Sequence, residues 1–166
     1  EVDKEATVTI ATSKTQASSI HNQLGDEVLV CVEPCRRDTF PAVVLATAYL
    51  HDVRGISGEE PVIVCPVDPY VEIDYFEALK KLADIARGDE QDKALKGGAN
   101  LVLMGMEPTY PSEKYGYILP TDKETVSGVK TFREKPDAKT AREYIRQGSL
   151  WNGGVFAYQM KYVLEK

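Results

Sequence analysis

Three short, largely apolar runs set the strongest constraint on how this chain can fold. They are Val28–Val32, Pro61–Val67 and Ala99–Met106. Strands without alternating polar residues are typical of a sheet that is covered on both faces. Helical segments separate these runs, and the clearest is the amphipathic stretch Glu72–Arg87. The alternation of strands and helices predicts an α/β fold with a mostly parallel sheet and helices on both faces.

The size and charge of the chain argue against several classes of protein. With 166 residues it has about the length of one domain. A formal charge of −6 argues against a general nucleic-acid binder, and every apolar stretch is far shorter than the roughly 20 residues of a membrane helix. We therefore expect neither nucleic acid nor a membrane as a partner. Cys31 and Cys65 lie in apolar runs and are expected to be buried, and a reducing, cytoplasmic compartment is predicted.

Polar segments follow three of the predicted strands, at the points where these strands end. They are Glu33–Thr39, Pro66–Asp68 and Glu134–Pro136. In open α/β sheets the ligand crevice lies beyond the carboxyl ends of the strands. The three segments are therefore predicted to contribute to a ligand site.

Asp68 is a candidate ligand for a divalent cation. It directly follows an apolar strand and precedes Pro69, whose ring restrains the turn. A carboxylate in this place can face the crevice and hold a hard cation such as Mg²⁺. The alternative is an ordinary aspartate at a strand end that accepts hydrogen bonds from nearby backbone amides.

Glu134 and Lys135 place an acid and a base side by side at a strand exit. Adjacent residues of a strand point to opposite faces, so we do not expect these two side chains simply to pair with each other. One of them can reach the hydroxyls of a polyol, and the other can reach a phosphate. Two solvated charges before a helix are the alternative.

Two glycine-containing segments allow a ligand to approach the backbone closely. Asn152 precedes Gly153 and Gly154, and its amide group can both donate to a sugar hydroxyl and accept from it. Gly116 lies between two tyrosines and exposes backbone amides. A tight turn beside a packed aromatic residue is the alternative for both segments.

The segment Arg36–Thr39 precedes Pro41 and the start of a predicted helix. A helix N-terminus is a suitable place for an anion or for the edge of a base. An ordinary charged loop is the alternative. The sequence contains no phosphate-binding G-x-x-x-x-G-K-[ST] loop, no G-x-S-x-G elbow and no G-x-G-x-x-G motif after a strand, which weakens the hydrolase and dinucleotide-oxidoreductase interpretations.

Taken in order, these segments resemble the sugar-1-phosphate nucleotidyltransferases, most closely their mannose-1-phosphate guanylyltransferase branch. The resemblance implies a Rossmann-like nucleotidyltransferase sheet. It also implies the transfer of GMP from GTP to mannose 1-phosphate, which yields GDP-mannose and pyrophosphate. Five motifs in order over nearly the whole chain carry it: E-P-C-R-R-D-T-F-P-A from Glu33, V-C-P-V-D ending at Asp68, Y-G-Y-I around Gly116, V-K-T-F-R-E-K-P from Val129 and L-W-N-G-G-V-F from Leu150.

The resemblance also implies a role for each matching residue. Asp68 would ligate the catalytic Mg²⁺, and Lys135 would hold the sugar phosphate. Glu134, Asn152 and the backbone of Gly116 would bind the mannose hydroxyls. The guanine and ribose of the nucleotide would contact four residues of the first motif, namely Glu33, Arg37, Asp38 and Thr39.

The chain departs from the family pattern at several positions. Asp38 stands where Asn is usual, Pro69 replaces a common His, and Gly153 replaces a common Ser. The family's first strand and its Gly-rich triphosphate loop have no counterpart before Ala6. We therefore expect residues 1–166 to form a partial nucleotidyltransferase domain that lacks its first strand and is inactive alone. Its open strand edges then predict one of three arrangements: another segment supplies the strand, neighbouring strands rearrange, or strands are shared between chains in a homo-oligomer.

Two other functions remain open at this point. A catalytically silent module that binds a nucleotide sugar and regulates a partner would not need the triphosphate loop. A nucleotidyltransferase for glucose 1-phosphate and another nucleotide is the second, because the E-K-P and Y-G-Y motifs are shared across the wider family. Only the R-R-D-T-F-P-A and W-N-G-G segments favour guanine and mannose.

Overall fold

The computed structural model describes residues 3–88 and 99–166, and the chain divides into two compact units. The first unit comprises Glu1–Val62 with Gln159–Lys166, and the second comprises Ile63–Tyr158.

The first unit begins with a two-stranded parallel sheet. Strands β1 (Thr9–Ser13) and β2 (Leu29–Glu33) pair residue by residue along their whole length. Helix α1 (Lys14–Leu24) connects them, as expected for parallel strands, which need a long crossover. Cys31 is buried in β2, as predicted. Burial, together with the charge of Glu33, raises the pKa of the Cys31 thiol, so this thiol is in its unreactive form.

Two helices complete the first unit. Helix α2 (Thr39–Ala48) continues into a π-helical turn at Tyr49–Val53. The chain returns to the unit as the short helix α5 (Met160–Leu164), which packs on α2. The amide of Lys161 donates to the carbonyl of Gly58 over 2.8 Å, and its ammonium group lies 2.6 Å from Glu59 Oε2. These contacts anchor α5.

A five-stranded sheet forms the second unit, and two helices accompany it. The helices are α3 (Ile73–Arg87) and α4 (Ala138–Arg146). The strands are β3 (Pro61–Val64), β4 (Leu101–Met106), β5 (Gly116–Pro120), β6 (Val129–Arg133) and β7 (Leu150–Gln159). The strand order is β3-β7-β5-β6, and β4 also pairs with β7.

The core of the second unit lies between α3 and the sheet. Leu82 and Ala86 of α3 pack against Val155 and Ala157 of β7. Each of these four side chains is almost completely removed from water. Burial of this apolar surface is the main stabilising contribution at this place.

The prediction of a mixed α/β fold is confirmed, but the prediction of a mostly parallel sheet holds only for β1 and β2. The pairings β4–β7, β5–β7 and β5–β6 are all antiparallel. For β5 and β6 the physical reason is their connection: no helix lies between them, and strands joined without a crossover helix pair in antiparallel fashion.

Several local predictions also need correction. Cys65 is exposed, because β3 ends at Val64 and does not continue to Val67 as the apolar run predicts. Two apolar residues of the amphipathic helix α3, Ile73 and Phe76, are not buried but 57% and 43% exposed. Strand β7 begins at Leu150, so Asn152, Gly153 and Gly154 lie within a strand and not in a tight turn. Within the described ranges, no helix is long and apolar enough to cross a membrane.

Candidate functional site

The second unit brings three of the predicted site residues together around Gly116. The first residue of β5, Gly116, pairs with Asn152 of β7. On its other side β5 pairs with β6, and Glu134 follows the end of β6 directly. A Cβ atom placed on Gly116 would lie 2.6 Å from Glu134 Oε2 and 3.4 Å from the Cβ atom of Asn152. Gly116 is buried, and Glu134 and Asn152 close around the position of its missing side chain. We call this group of residues the Gly116 cradle.

Phe132 is a fourth member of the Gly116 cradle that the sequence analysis missed. Its Cζ atom would lie 2.9 Å from a Cβ atom on Gly116, and the residue is 45% exposed. Strand alternation provides the signal that could have found it, because Phe132 and Glu134 are two residues apart and share a face. Its ring adds an apolar group to the cradle.

Lys135 lies beside the Gly116 cradle in an unusual backbone conformation. Its φ of +41° makes it the one non-glycine residue with positive φ in the described ranges. Left-handed backbone costs an ordinary residue about 1–2 kcal/mol. Strain of this kind clusters at functional sites, where the surrounding structure maintains it.

The expectation that Glu134 and Lys135 would not pair is wrong. Lys135 Nζ lies 3.2 Å from Glu134 Oε1. The reason is the positive φ of Lys135, which turns the chain directly after Glu134, so strand alternation does not extend to Lys135. Both side chains are more than half exposed, and such surface pairs contribute at most about 1 kcal/mol. A ligand can therefore separate the two groups at little cost.

Asn152 is held in a defined orientation by the backbone that follows it. Its Oδ1 atom accepts a hydrogen bond of 3.2 Å from the amide of Gly154, which has a φ of +73°. This leaves the amide nitrogen of Asn152 as the group that can donate to a ligand. The departure at Gly153 also has a structural reason, because Met106 occupies the space that a Cβ atom there would need.

The tyrosines that flank Gly116 pack against other residues of the protein and are not part of the Gly116 cradle. Tyr117 is buried, stacks on Tyr144 and donates from its hydroxyl to the carbonyl oxygen of Ser112 over 2.9 Å. Tyr115 contacts Trp151, with ring centroids 4.9 Å apart. Their positions follow from strand alternation, which turns the neighbours of Gly116 away from its own face.

Asp68 lies in the fully exposed segment 65–70, after the end of β3. In the part of the chain that the structure describes, no three His, Cys, Asp or Glu residues come together as a metal site. Asp68 therefore offers a single carboxylate. This donor set does not suit a permanently bound metal, but it fits Mg²⁺, which often takes one or two carboxylates and completes its shell with water and substrate phosphates.

The predicted nucleotide loop lies in the first unit. Glu33 ends β2 and is half buried, whereas residues 34–40 are exposed. Arg37 and Asp38 line an open cavity of about 590 Å³ together with Cys35, Arg36 and Pro41. Two guanidinium groups at its wall make this cavity suitable for an anion.

Asp38 also has a structural role at the start of α2. Its carboxylate accepts a hydrogen bond of 2.9 Å from the amide of Thr39, so that it caps the helix. The family's usual Asn is an equally good capping residue. The departure at this position therefore leaves the helix start intact and changes only the charge that faces the cavity.

We predict that Asp38→Ala lowers the free energy of unfolding by about 1 kcal/mol, because the helix cap is lost, whereas Asp38→Asn keeps it. Thermal denaturation measures the difference, and 1 kcal/mol corresponds to a melting temperature lower by about 2–4 °C. Asp26→Ala, in an exposed turn, is the matched control for removing a carboxylate. A loss of stability in Asp38→Asn as large as that in Asp38→Ala would contradict the capping role.

Comparison with known proteins places the chain in a family. Residues 3–166 match the family model described as nucleotidyl transferase. The alginate biosynthesis protein AlgA of Pseudomonas fluorescens is 32% identical over 166 residues, which cover 95% of this chain and 32% of that protein. Mannose-1-phosphate guanylyltransferase of Escherichia coli is 29% identical over 152 residues, which cover 87% of this chain and 30% of that protein.

Solved structures share the fold. A crystal structure from Thermus thermophilus, described as mannose-1-phosphate geranyltransferase, has a TM-score of 0.76 and 33% identity over 95% of this chain and 43% of its own. A structure described as mannose-6-phosphate isomerase from Helicobacter pylori has a TM-score of 0.74 and 24% identity over 96% of this chain and 58% of its own. At this identity the likeness supports the fold alone. The chain spans about a third of the length of the curated relatives that it matches. Because the family model covers nearly all its residues, the chain belongs to the nucleotidyl transferase family.

Proposed function

We propose that this chain provides the nucleotide loop and the sugar-phosphate site of a mannose-1-phosphate guanylyltransferase. The reaction transfers GMP from GTP to mannose 1-phosphate and yields GDP-mannose and pyrophosphate. The observation that carries the proposal is the Gly116 cradle, in which Glu134 and Asn152 lie together against Gly116, with the ammonium group of Lys135 3.2 Å from Glu134 Oε1.

The chemistry of the Gly116 cradle suits a sugar phosphate. Sugar hydroxyls both donate and accept, and Glu134 can accept while the Asn152 nitrogen donates. The phosphate on the anomeric carbon carries negative charge, and the ammonium group of Lys135 lies next to Glu134. A point charge of this kind is a common ligand for phosphate.

The nucleotide roles rest on the loop of the first unit. Arg37 and Asp38 line one cavity, and Thr39 begins α2. The N-terminus of a helix favours negative charge, and guanidinium groups can bind phosphate or stack on a base. The guanine preference itself comes from the resemblance to the relatives named above.

The proposed transfer is an in-line displacement at phosphorus. An oxygen of the sugar phosphate forms a bond to the α-phosphorus of GTP, and the bond from that phosphorus to pyrophosphate breaks. The residues of the chain act by positioning the reactants and neutralising their charge. Lys135 holds the sugar phosphate, while Glu134 and Asn152 orient the ring. When bound at Asp68, Mg²⁺ would supply charge stabilisation to the phosphate oxygens.

Binding of nucleotide sugars to the chain tests this proposal. Calorimetric titration with GDP-mannose, UDP-glucose and dTDP-glucose, each with Mg²⁺, should give the tightest binding for GDP-mannose, by about tenfold or more, which is about 1.4 kcal/mol. A preference for UDP-glucose or dTDP-glucose would instead support the glucose 1-phosphate branch. If none of the three binds a chain that unfolds cooperatively, the proposal fails.

A silent binding module and an enzyme differ in turnover. A preparation that contains this chain and binds GDP-mannose should release pyrophosphate from GTP and mannose 1-phosphate. Binding without any pyrophosphate release would favour the regulatory module.

A further inference from the structure

A second open site in the second unit has no role in the proposed reaction. It is a groove of about 250 Å³ between the loop after β4 and helix α4. Tyr110 and Pro111 line its loop side, and Arg142, Ile145 and Arg146 line its helix side. We call it the α4 groove.

The charge of the α4 groove is entirely positive. Arg142 and Arg146 are four residues apart on α4 and therefore share one face of the helix. Among the described residues that line the groove, none carries a carboxylate. Arg146 Nη1 lies 3.7 Å from Glu143 Oε2 in an exposed ion pair. Arg142 forms no ion pair within the ranges 3–88 and 99–166. Two guanidinium groups thus face one space in a chain of net charge −6.

The two guanidinium groups of the α4 groove indicate the class of ligand that it can bind. Each presents a planar fork of N–H donors that matches two oxygens of a phosphate. The rings of Tyr110 and Pro111 and the side chain of Ile145 add apolar surface for an uncharged part of the ligand. The volume is just below the range of about 300–1,000 Å³ that is typical of sites for drug-sized ligands. A phosphate or a small phosphate ester fits this description better than a whole nucleotide.

The α4 groove and the Gly116 cradle lie against neighbouring residues of β7. The Tyr110 ring contacts Trp151 edge-on, with centroids 5.1 Å apart. The next residue, Asn152, belongs to the Gly116 cradle. Adjacent strand residues point to opposite faces, so the α4 groove lies on the reverse face of β7 from the Gly116 cradle.

We propose that the α4 groove is a second binding site, in which Arg142 and Arg146 hold the phosphate of a small phosphorylated ligand. The site is distinct from the Gly116 cradle, and its existence does not depend on the reaction proposed above.

Fluorescence of Trp151 provides a direct readout, because it is the sole tryptophan among the 166 residues. The experiment titrates the chain with inorganic phosphate and, separately, with glucose 6-phosphate. The Lys135→Ala background removes the phosphate contact proposed for the Gly116 cradle. We expect a saturable change in Trp151 emission with at least one probe. Binding of both would show that phosphate alone is recognised, and binding of the ester alone would show that the apolar wall contributes.

Charge-removal variants locate the binding. Arg142→Ala and Arg146→Ala should each raise the dissociation constant about tenfold or more, since a hydrogen bond to a charged group contributes about 1.5–3 kcal/mol. Lys139→Ala removes the same charge from the same helix, but Lys139 does not line the groove, so its dissociation constant should stay unchanged.

Calorimetry on the same samples detects binding that leaves the emission unchanged. The proposal is overturned if neither probe binds at millimolar concentration to a chain that unfolds cooperatively. It is also overturned if Lys139→Ala weakens binding as much as the two arginine variants.

Discussion

Lys135→Ala is expected to weaken the binding of GDP-mannose roughly 10- to 100-fold, because a hydrogen bond to a charged group contributes about 1.5–3 kcal/mol. In a catalytically active preparation that contains this chain, the expected loss of rate is about 10²–10³-fold, as for other groups that stabilise developing charge. Calorimetry measures the first effect, and pyrophosphate release measures the second.

Lys130→Ala is the matched control for Lys135→Ala. Lys130 is an exposed residue of β6, and its removal changes the net charge by the same amount. We expect affinity to change less than about twofold in Lys130→Ala, since exposed charges beyond a Debye length of about 8–10 Å are largely screened. Equal losses in the two variants would show that only net charge matters, and the specific role of Lys135 would then be wrong.

Lys135→Gly separates binding from stability. Glycine relieves the left-handed strain of about 1–2 kcal/mol at φ +41°, but it adds about 0.5–1 kcal/mol of backbone entropy to the unfolded chain. We therefore expect the stability to stay the same or increase slightly while binding is lost. A clear loss of stability would show that the Lys135 side chain supports the fold, contrary to the functional interpretation of its strain.

The local pattern of apolar and polar residues was sufficient to predict where most of the helices and strands lie. The amphipathic repeat located α3, and the apolar runs located β2, β3 and β4 within a few residues. Local pattern does not indicate that β7 begins at Leu150, because Gly153 and Gly154 interrupt its alternation. Pairing with β4 and β5 keeps these glycines in a strand. Helix α5 was missed, since its five residues continue the apolar pattern of β7.

The Gly116 cradle illustrates what local pattern could not provide. Gly116, Glu134 and Asn152 come from different strands or strand ends, and only the order β7-β5-β6 makes them neighbours. Strand order depends on long-range packing, so the resemblance to a family grouped these residues, and no spacing rule did. The ion pair between Glu134 and Lys135 was not predicted, because the positive φ of Lys135 is not evident from the sequence.

Gly116→Ala is the second change with a large expected effect, and it tests the Gly116 cradle directly. The added methyl group would lie 2.6 Å from Glu134 Oε2 and 2.9 Å from Phe132 Cζ. Both atoms are the far ends of flexible side chains, so the fold can accommodate the methyl group by moving them. The Glu134 carboxylate and the Phe132 ring are then displaced from their positions in the Gly116 cradle. A hydrogen bond to a charged group contributes about 1.5–3 kcal/mol, so we expect GDP-mannose affinity to fall about 10- to 100-fold.

Two other glycines provide controls with opposite outcomes. A Cβ atom on Gly58 would meet Lys161 at 3.5 Å, an ordinary contact, so Gly58→Ala should change neither stability nor affinity. A Cβ atom on Gly105 would lie 2.5 Å from Leu150 Cδ1 and 2.9 Å from its Cβ atom. Overpacking of this kind costs about 1–3 kcal/mol, so Gly105→Ala should lower the melting temperature.

Comparison of affinity with melting temperature across the three variants decides between a ligand site and a packing requirement at Gly116. If Gly116 belongs to a ligand site, Gly116→Ala should bind more weakly while its melting temperature changes little. Gly105→Ala should have a lower melting temperature but bind normally at temperatures where it is folded. If Gly116→Ala instead behaves like Gly105→Ala, the close approach of Glu134 and Phe132 to Gly116 serves packing. In that case the cradle would no longer support a sugar-phosphate site.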